Sequence, residues 1–274
     1  MRQLIIIAGP TAVGKTAYAV RLAQELGTEI VSCDSRQFYR EMRIGVARPT
    51  DEELAAVPHH FIACRSVTEP YNIYDYEQDA LRVINTLFER HDTVLAVGGS
   101  GLYIDALCHG VSRMPDPTPE LRARLQQMSL EEKRAQLQLL DPDYYACVDL
   151  RNPVRLQRAL EVCLMTGRPY SEVIAEQPRE ERPFDIEVRV LQMPNAELRT
   201  RIDSRVDAMM QEGLLDEVRS LLPYRELNTL NTVGYRELFP VLDGQASLAD
   251  AVEAIKLNTW HYARKQMTWM KRYC

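Results

Sequence analysis

A glycine-rich loop near the start of the chain carries the strongest chemical signal, because its spacing is G-x-x-x-x-G-K-T. Its residues, here called the P-loop, are Gly9, Pro10, Thr11, Ala12, Val13, Gly14, Lys15 and Thr16. Backbone N–H groups in such a loop converge on phosphate oxygens, and the positive end of the following helix adds to the attraction. Lys15 would neutralise a terminal phosphate, and the hydroxyl of Thr16 would bind Mg²⁺. Alone, the loop predicts a site for ATP, GTP or another phosphorylated molecule.

Asp34 is the second candidate, at the carboxyl end of a predicted strand over residues 29–33. Ligands of parallel α/β sheets bind at this end of the strands, where a carboxylate can accept a proton from a nucleophile. The spacing of Asp34 and Gln37 equally predicts a helix N-terminus, with Asp34 as the cap and Gln37 at the third helical position. The residues alone leave both interpretations open.

A second glycine-rich turn, residues 98–101, follows the apolar run 93–97. Many P-loop enzymes carry a Mg²⁺-binding aspartate at this place, but the run Thr-Val-Leu-Ala-Val contains no acid. Its absence counts against a standard ATPase. The glycines predict either the close approach of a ligand, with Ser100 as a neutral hydrogen-bond donor, or simply a tight strand–helix turn.

The first hundred residues alternate apolar strand patterns with helical ones, which predicts an α/β fold with a mostly parallel sheet. Proline-rich segments at 114–119 and 177–183 enclose a stretch of helical patterns. We therefore expect a P-loop NTPase-like core at residues 1–114 and 184–274 and a small helical insertion domain at 115–183. Arg201 and Arg205 are spaced to share one helix face and to approach phosphate or RNA.

Composition limits the class of partner. The 274 residues carry a net charge of −6, which argues against a generally sticky nucleic-acid binder. Residues 255–274 nevertheless hold five basic side chains and no acidic one, a pattern that fits either an RNA-binding face or a solvated helix. The longest apolar runs are too short for a membrane span, and the six cysteines are scattered, so we expect a cytoplasmic monomer without structural zinc.

Seven segments together resemble the tRNA dimethylallyltransferases, or isopentenyl-tRNA transferases. Besides the P-loop they are D-S-R-Q-F-Y from Asp34, I-G-V-A-R-P-T from Ile44, V-G-G-S-G-L-Y from Val97, N-P-V-R-L-Q-R-A-L-E-V from Asn152, N-T-V-G-Y-R-E from Asn231 and A-R-K-Q-M-T-W from Ala263. They follow one another over nearly the whole chain. The sequence shows no C-terminal zinc finger of the kind found in eukaryotic members, so it resembles the bacterial type. Many members of the family continue further beyond the position of Trp269.

The resemblance implies transfer of a dimethylallyl group from its diphosphate to the exocyclic amine of adenosine 37 of a tRNA. The P-loop would then hold the leaving diphosphate, Asp34 would be the general base, and Thr16 would bind Mg²⁺. Lys15, Arg205 and Ser100 would help to hold the diphosphate or the adenosine, which would be flipped out of the anticodon loop.

The resemblance also implies contacts with the anticodon stem-loop of the tRNA. Those residues are Asp34, Ser35, Arg36, Gln37, Ser100, Arg122, Val154, Arg155, Leu156, Gln157, Arg158, Asn231, Thr232, Val233, Gly234, Tyr235 and Arg236. No stable protein partner and no membrane are expected. The alternatives are an adenylate isopentenyltransferase, which would not need the insertion at 115–183, a small-molecule P-loop kinase, and a nucleotide-dependent switch without chemistry of its own.

Overall fold

A computed structural model describes residues 2–111, 114–176 and 181–273. The chain divides into two compact units: a core unit, Met1–His109 with Glu181–Cys274, and an insert unit, Gly110–Glu180. The predicted division at 115 and 183 differs from these bounds by a few residues. Part of the predicted charged hinge, residues 177–180, lies outside the described residues.

Five strands form one sheet in the core unit. They are β1 (Gln3–Ala8), β2 (Ile30–Ser32), β3 (His59–His60), β4 (Thr93–Gly98) and β5 (Asp185–Val190). Their order is β3-β2-β4-β1-β5, and every pairing is parallel. The predicted α/β class with a parallel sheet is therefore confirmed. The two-residue strand β3 was not predicted as a strand, because it is too short to show an alternating pattern.

Eight of the α-helices that the structure describes belong to the core unit. They are α1 (Lys15–Leu26), α2 (Asp51–Ala56), α3 (Ile73–Leu87), α4 (Gly101–His109), α10 (Asn195–Gln211), α11 (Leu214–Ser220), α12 (Phe239–Leu242) and α13 (Leu248–Met270). The short helices α2 and α12 were not predicted, since fewer than two turns give little periodicity. No helix in the described part of the chain is long and apolar enough to cross a bilayer.

The sheet is buried on both faces. Leu4 and Ile6 of β1 belong to one hydrophobic cluster, and the alternating residues Ile5 and Ile7 belong to another. Successive side chains of a strand point to opposite faces, so the unbroken apolar run of β1 needs cover on both sides. Helix α1 covers one of these faces through Ala19 and Ala23.

The carboxyl ends of three neighbouring strands lie side by side. Ala8 of β1 is in register with Gly98 of β4, and Ser32 of β2 is in register with Val97. The P-loop, Asp34 and the glycine-rich turn each follow one of these strands directly. The parallel pairing therefore brings three segments that are far apart in sequence to the same place.

The insert unit has its own small core. Its described helices are α5 (Pro119–Gln127), α6 (Leu130–Leu140), α7 (Pro142–Cys147), α8 (Pro153–Thr166) and α9 (Tyr170–Ala175). Leu125, Leu137, Leu156 and Leu160 are fully buried. The buried carboxylate of Asp141 joins α7 and α9 by accepting hydrogen bonds from the backbone of Tyr144 and from both the backbone and the hydroxyl of Ser171.

A buried ion pair holds the segment before β5 against the rest of the core unit. The guanidinium of Arg182, 5% exposed, bonds the carboxylate of Glu77, 3% exposed, and donates to the carbonyl oxygens of Ala106 and Leu107. The arginine thus connects α3, the end of α4 and the segment before β5. Removing one member of such a pair leaves the other charge buried without its partner.

We expect Arg182→Leu to lower the free energy of unfolding by about 3–5 kcal/mol, because the buried Glu77 carboxylate then loses the charge and the hydrogen bond of the Arg182 guanidinium. Denaturant titration measures the loss. Arg40→Leu, which removes the exposed pair between Arg40 and Glu69, is the matched control and should cost less than about 1 kcal/mol. Equal losses in the two variants would contradict the role given to Arg182.

Candidate active site

The three strand ends open into a cavity of about 870 Å³, here called the central cavity. Its wall consists of the P-loop, residues 34–37, residues 45–50, one face of α10, residues 231–236 and part of α13. All of these segments belong to the core unit. The volume of the cavity falls within the range of about 300–1,000 Å³ that is usual for small-molecule sites.

Basic side chains outnumber acidic ones in the wall of the central cavity. The basic ones are Lys15, Arg36, Arg48, Arg201, Arg205 and Arg236, and the acidic ones are Asp34 and Glu53. The whole chain has the opposite balance, with a net charge of −6. A cavity lined by one sign of charge concentrates ligands of the other sign. The cavity is therefore suited to an anion although the protein is acidic.

The P-loop has the backbone conformation that its glycines predict. Gly9 and Gly14 have φ angles of 153° and 99°, and Ala12 also lies in the left-handed region with φ 67°. A Cβ atom at Gly9 would be 2.9 Å from the carbonyl oxygen of Leu191. Gly14 precedes the first turn of α1, which places Lys15 and Thr16 at the positive end of the helix.

Lys15 is held against the loop itself. Its ammonium group donates to the carbonyl oxygens of Gly9 at 2.9 Å and Pro10 at 2.8 Å. Desolvation by the surrounding protein lowers the pKa of Lys15 to about 8; the nearby Asp34 carboxylate opposes this shift and Arg205 adds to it. The ammonium group is therefore desolvated and beside the cavity, where a phosphate group would stabilise its charge.

Arg201 and Arg205 occupy one face of α10 and line the central cavity, as predicted from their spacing. Arg205 donates to the hydroxyl of Thr11 at 3.3 Å, which brings its guanidinium to the P-loop. Burial lowers the pKa of Arg205, and the charge of Asp34 opposes that shift. Arg201 is more exposed and pairs with Glu197 of its own helix.

Asp34 faces the same cavity but does not begin a helix. Its Oδ1 accepts a hydrogen bond from the backbone N–H of Arg36 at 2.9 Å, the geometry of an Asx turn. Residues 35–38 form turns. The prediction of a helix cap at Asp34, with Gln37 at the third helical position, was therefore wrong. Gln37 instead donates to the carbonyl oxygen of Ala47 at 3.1 Å and links the two cavity segments.

The turn 98–101 is closely packed by other parts of the protein, and its first residue, Gly98, also lines the central cavity. A Cβ atom at Gly98 would be 2.3 Å from the carbonyl oxygen of Cys33, and one at Gly101 would be 2.2 Å from the Trp269 ring. These glycines are required by the close approach of β2 and α13. Ser100 is 7% exposed, and its hydroxyl accepts from the backbone N–H of Ser35 at 3.2 Å.

Segments 45–50 and 231–236 meet beside the cavity. The ring of the fully buried Tyr235 packs so closely on Gly45 that a Cβ atom there would be 2.5 Å from it. Both segments are bonded to Glu217 of α11, whose carboxylate accepts from the backbone N–H groups of Arg43, Ile44 and Gly45 and from the Tyr235 hydroxyl at 2.6 Å. Glu217 thereby fixes two walls of the central cavity.

The side chains predicted to contact tRNA differ in their exposure. Asp34, Ser35, Arg36 and Gln37 line the central cavity, as do Asn231, Thr232, Val233, Gly234 and Arg236. The side chains of Tyr235 and Leu156, in contrast, are fully buried in hydrophobic clusters. These two side chains therefore support the segments that carry them, and the contact of both residues with tRNA stays a prediction.

The remaining predicted contacts belong to the insert unit. Arg122, Val154 and Arg155 are exposed. Gln157 and Arg158 are half-buried and bond to Glu161, at 3.1 Å and 3.3 Å, within α8. The structure shows these side chains on their own unit, and their role in binding RNA stays a prediction.

The basic pattern at the end of the chain is partly neutralised. Lys256 pairs with Asp207 and Glu253, and Arg272 pairs with Asp105 and stacks on the Trp269 ring. Arg264 and Lys265 are exposed on α13. The apparent basic face is thus smaller than the sequence indicates, because acids from other segments lie next to it.

Two residues of the site were not predicted from the sequence. Glu217 looked like an ordinary helix-surface acid, since its three backbone partners lie more than 170 residues earlier in the chain. Gln266 did carry a signal: it falls in the buried stripe of α13 with Ala263 and Met270. A lone polar residue at an apolar helical position indicates a buried hydrogen-bonding role.

Similar proteins provide an independent comparison. A tRNA dimethylallyltransferase 1 of Bacteroides thetaiotaomicron is 49% identical over 276 residues, which covers 99% of this chain and 89% of that protein. The tRNA dimethylallyltransferase 1 of Bacteroides fragilis is 47% identical and covers 99% of this chain and 91% of its own length. A family model described as IPP transferase matches residues 37–273.

Two solved structures share the fold. The full-length tRNA isopentenylpyrophosphate transferase of Bacillus halodurans has a TM-score of 0.72 and 33% identity, covering 99% of this chain and 87% of that one. A eukaryotic dimethylallyltransferase acting on tRNA has a TM-score of 0.83 and 27% identity, covering 98% of this chain and 70% of that one. The predicted P-loop NTPase-like class is confirmed, and the chain belongs to the IPP transferase family.

Proposed function

We propose that this protein transfers a dimethylallyl group from dimethylallyl diphosphate to the exocyclic amine of the adenosine at position 37 of a tRNA. The observation that carries the proposal is the central cavity, which brings a P-loop and the Asp34 carboxylate together. The run before the turn 98–101 contains no acid, so the carboxylate that ATP-hydrolysing P-loop enzymes typically carry at this strand end is missing. A site of this composition is suited to releasing a diphosphate.

Two observations favour tRNA as the acceptor. Relatives that match nearly the whole chain are named tRNA dimethylallyltransferases, and one structure of the same fold is of an enzyme acting on tRNA. The central cavity is basic on an otherwise acidic chain. The target base would leave its stack to reach Asp34, and the anticodon stem-loop would contact the exposed Arg122, Val154 and Arg155.

In the reaction the adenosine nitrogen attacks the C1 carbon of the dimethylallyl group as the bond from that carbon to the diphosphate oxygen breaks. The proton of the amine passes to the carboxylate of Asp34. Negative charge grows on the leaving diphosphate, where the P-loop N–H groups, Lys15 and Arg205 stabilise it. Ser100 supports this arrangement through its bond to Ser35, next to Asp34.

The P-loop also fits a magnesium ion. The hydroxyl of Thr16 lines the central cavity at the start of α1. No group of three or more acidic, histidine or cysteine side chains that could hold a metal occurs in the described ranges. Such a donor set suits Mg²⁺, which prefers to be bound by few protein oxygens together with substrate phosphates and water. Bound there by Thr16, the ion would neutralise diphosphate charge.

A labelling experiment tests the proposal. Dimethylallyl diphosphate labelled in the alkyl group is offered to the enzyme with unmodified tRNA, with AMP or with neither, in the presence of Mg²⁺. We expect label in tRNA alone, at adenosine 37. Label in AMP but not in tRNA would instead show an adenylate isopentenyltransferase, and phosphoryl transfer from ATP would show a kinase. Binding of nucleotide without any transfer would indicate a switch.

The expected location is the cytoplasm, where tRNA is modified, and no stable protein partner is required.

We expect Asp34→Ala to reduce the rate of transfer by about 10²–10⁴-fold, because the amine proton loses its acceptor. The affinity for tRNA should stay close to that of the wild type, since one carboxylate adds little to binding an anionic RNA. Single-turnover rates and tRNA Kd measure the two effects. Asp216→Ala, an exposed acid paired with Arg219 on α11, is the control. Normal turnover by Asp34→Ala would leave Asp34 with only its turn-forming role.

The pKa of Lys15 predicts how diphosphate binding depends on pH. Below about pH 8 the ammonium group is already charged, and above it binding must take up a proton. Lys15 should therefore cause little change in the affinity for dimethylallyl diphosphate between about pH 7 and 8, and a fall of up to about tenfold per pH unit above pH 8. Calorimetric titration without tRNA measures it. Lys15→Met should bind weakly with no inflection near pH 8, and a wild-type affinity unchanged to high pH would refute the prediction.

A further inference from the structure

Gln266 is a buried polar residue between two parts of the site. It lies on α13 and is 6% exposed. Buried side-chain amides are retained where both their donor and their acceptor are used, since an unpaired one is costly. Gln266 satisfies this condition with two backbone partners that are far apart in sequence.

The Gln266 amide makes two hydrogen bonds of ordinary length with the backbone, and the Tyr262 hydroxyl lies beside the same amide and beside Ser100. Its Oε1 accepts from the backbone N–H of Thr11 at 2.8 Å, and its Nε2 donates to the carbonyl oxygen of Gly99 at 2.8 Å. Thr11 belongs to the P-loop, and Gly99 belongs to the turn after β4. A Cβ atom at position 99 would be 2.3 Å from the Gln266 nitrogen, so the turn is closed directly onto the amide.

The connection continues from the turn to Asp34. Ser100, next to Gly99, accepts a hydrogen bond from the backbone N–H of Ser35 at 3.2 Å, and the two hydroxyls are 3.2 Å apart. Ser35 directly follows Asp34. A single side-chain amide therefore connects the loop that holds the leaving group with the segment that carries the base.

We propose that Gln266 is a positioning residue that sets the distance between the P-loop and Asp34. The proposal rests on the function given above, in which the amine must approach the dimethylallyl carbon from the side opposite the diphosphate. A displacement of about 1 Å in such an arrangement can reduce the rate by about 10²-fold. Without the amide, the P-loop and the turn 98–101 lose their common partner.

The chemistry of the amide supplies a specific test. Glutamine offers one donor and one acceptor on a planar group, and an ionised glutamate offers only acceptors. In Gln266→Glu the ionised carboxylate would face the Gly99 carbonyl oxygen, which also accepts. A protonated carboxylic acid restores one donor and one acceptor with nearly the same shape. The variant should therefore resemble the wild type only when it is protonated.

The experiment measures kcat with saturating tRNA and dimethylallyl diphosphate. The proteins compared are the wild type, Gln266→Glu and Gln266→Met. At about pH 8 we expect both variants to be slower by about 10–100-fold. As the pH falls, the rate of Gln266→Glu relative to the wild type should rise to within about threefold, and that of Gln266→Met should stay low. Using the ratio to the wild type removes every pH effect that the variants share with it.

Two controls separate positioning from a general loss of structure. Gln24→Glu, at an exposed position of α1, adds the same charge and should keep a ratio near one at every pH. All rates are measured well below the melting temperature of each variant, where a purely structural role leaves kcat unchanged. If Gln266→Met does not fold, the test rests on whether Gln266→Glu approaches the wild-type rate in acid.

The outcomes distinguish this inference from the proposed function. A wild-type enzyme that places no label in tRNA refutes the function itself. An active wild type with a pH-independent ratio for Gln266→Glu, or a Gln266→Met variant with normal kcat, refutes the role of Gln266 alone. Recovery of Gln266→Glu at low pH, without recovery of Gln266→Met, supports it.

Discussion

The site depends on the parallel pairing of three central strands. Because β2, β4 and β1 run in the same direction, their carboxyl ends lie side by side, with Ser32 beside Val97 and Ala8 beside Gly98. The next residues along each strand are therefore neighbours, whatever their separation in sequence. A one-residue slip of one strand would turn all of its side chains to the other face of the sheet and would move the residues that follow it away from the site.

Charge in the site is arranged against that of the whole molecule. The chain as a whole has more acidic than basic residues, whereas the wall of the central cavity has more basic than acidic ones. Lys15 and Arg205 are both partly desolvated there, so their free cations are less stable than in water. A bound diphosphate would relieve that cost, and the charge of Asp34 already relieves part of it. The carboxylate that we propose as the proton acceptor thus also stabilises the cations that we propose to surround the leaving group.

Local patterns in the sequence predicted the parts of the structure that depend on neighbouring residues. The P-loop follows from its glycine spacing, the strand β1 before it from an apolar run, and the helices α1 and α13 from helical periodicity. Asp34 shows the limit: its spacing to Gln37 fits a helix cap, but the chain forms an Asx turn because Gln37 bonds the segment at Ala47 instead. Glu217 and the glycines at 98 and 101 depend on partners far along the chain, and a single sequence contains no record of those distances.

The bond between Gln266 and Thr11 joins residues 255 positions apart, one of the longest separations in the protein. At synthesis rates of about 5–20 residues per second, the P-loop exists for about 13–50 s before its partner has been made. During that time its backbone N–H group at Thr11 must be satisfied by water. Closure of the site therefore belongs to the last stage of folding, and contacts of such long range favour slow completion of the native structure. The nascent chain carries a phosphate-binding sequence long before it carries an organised site.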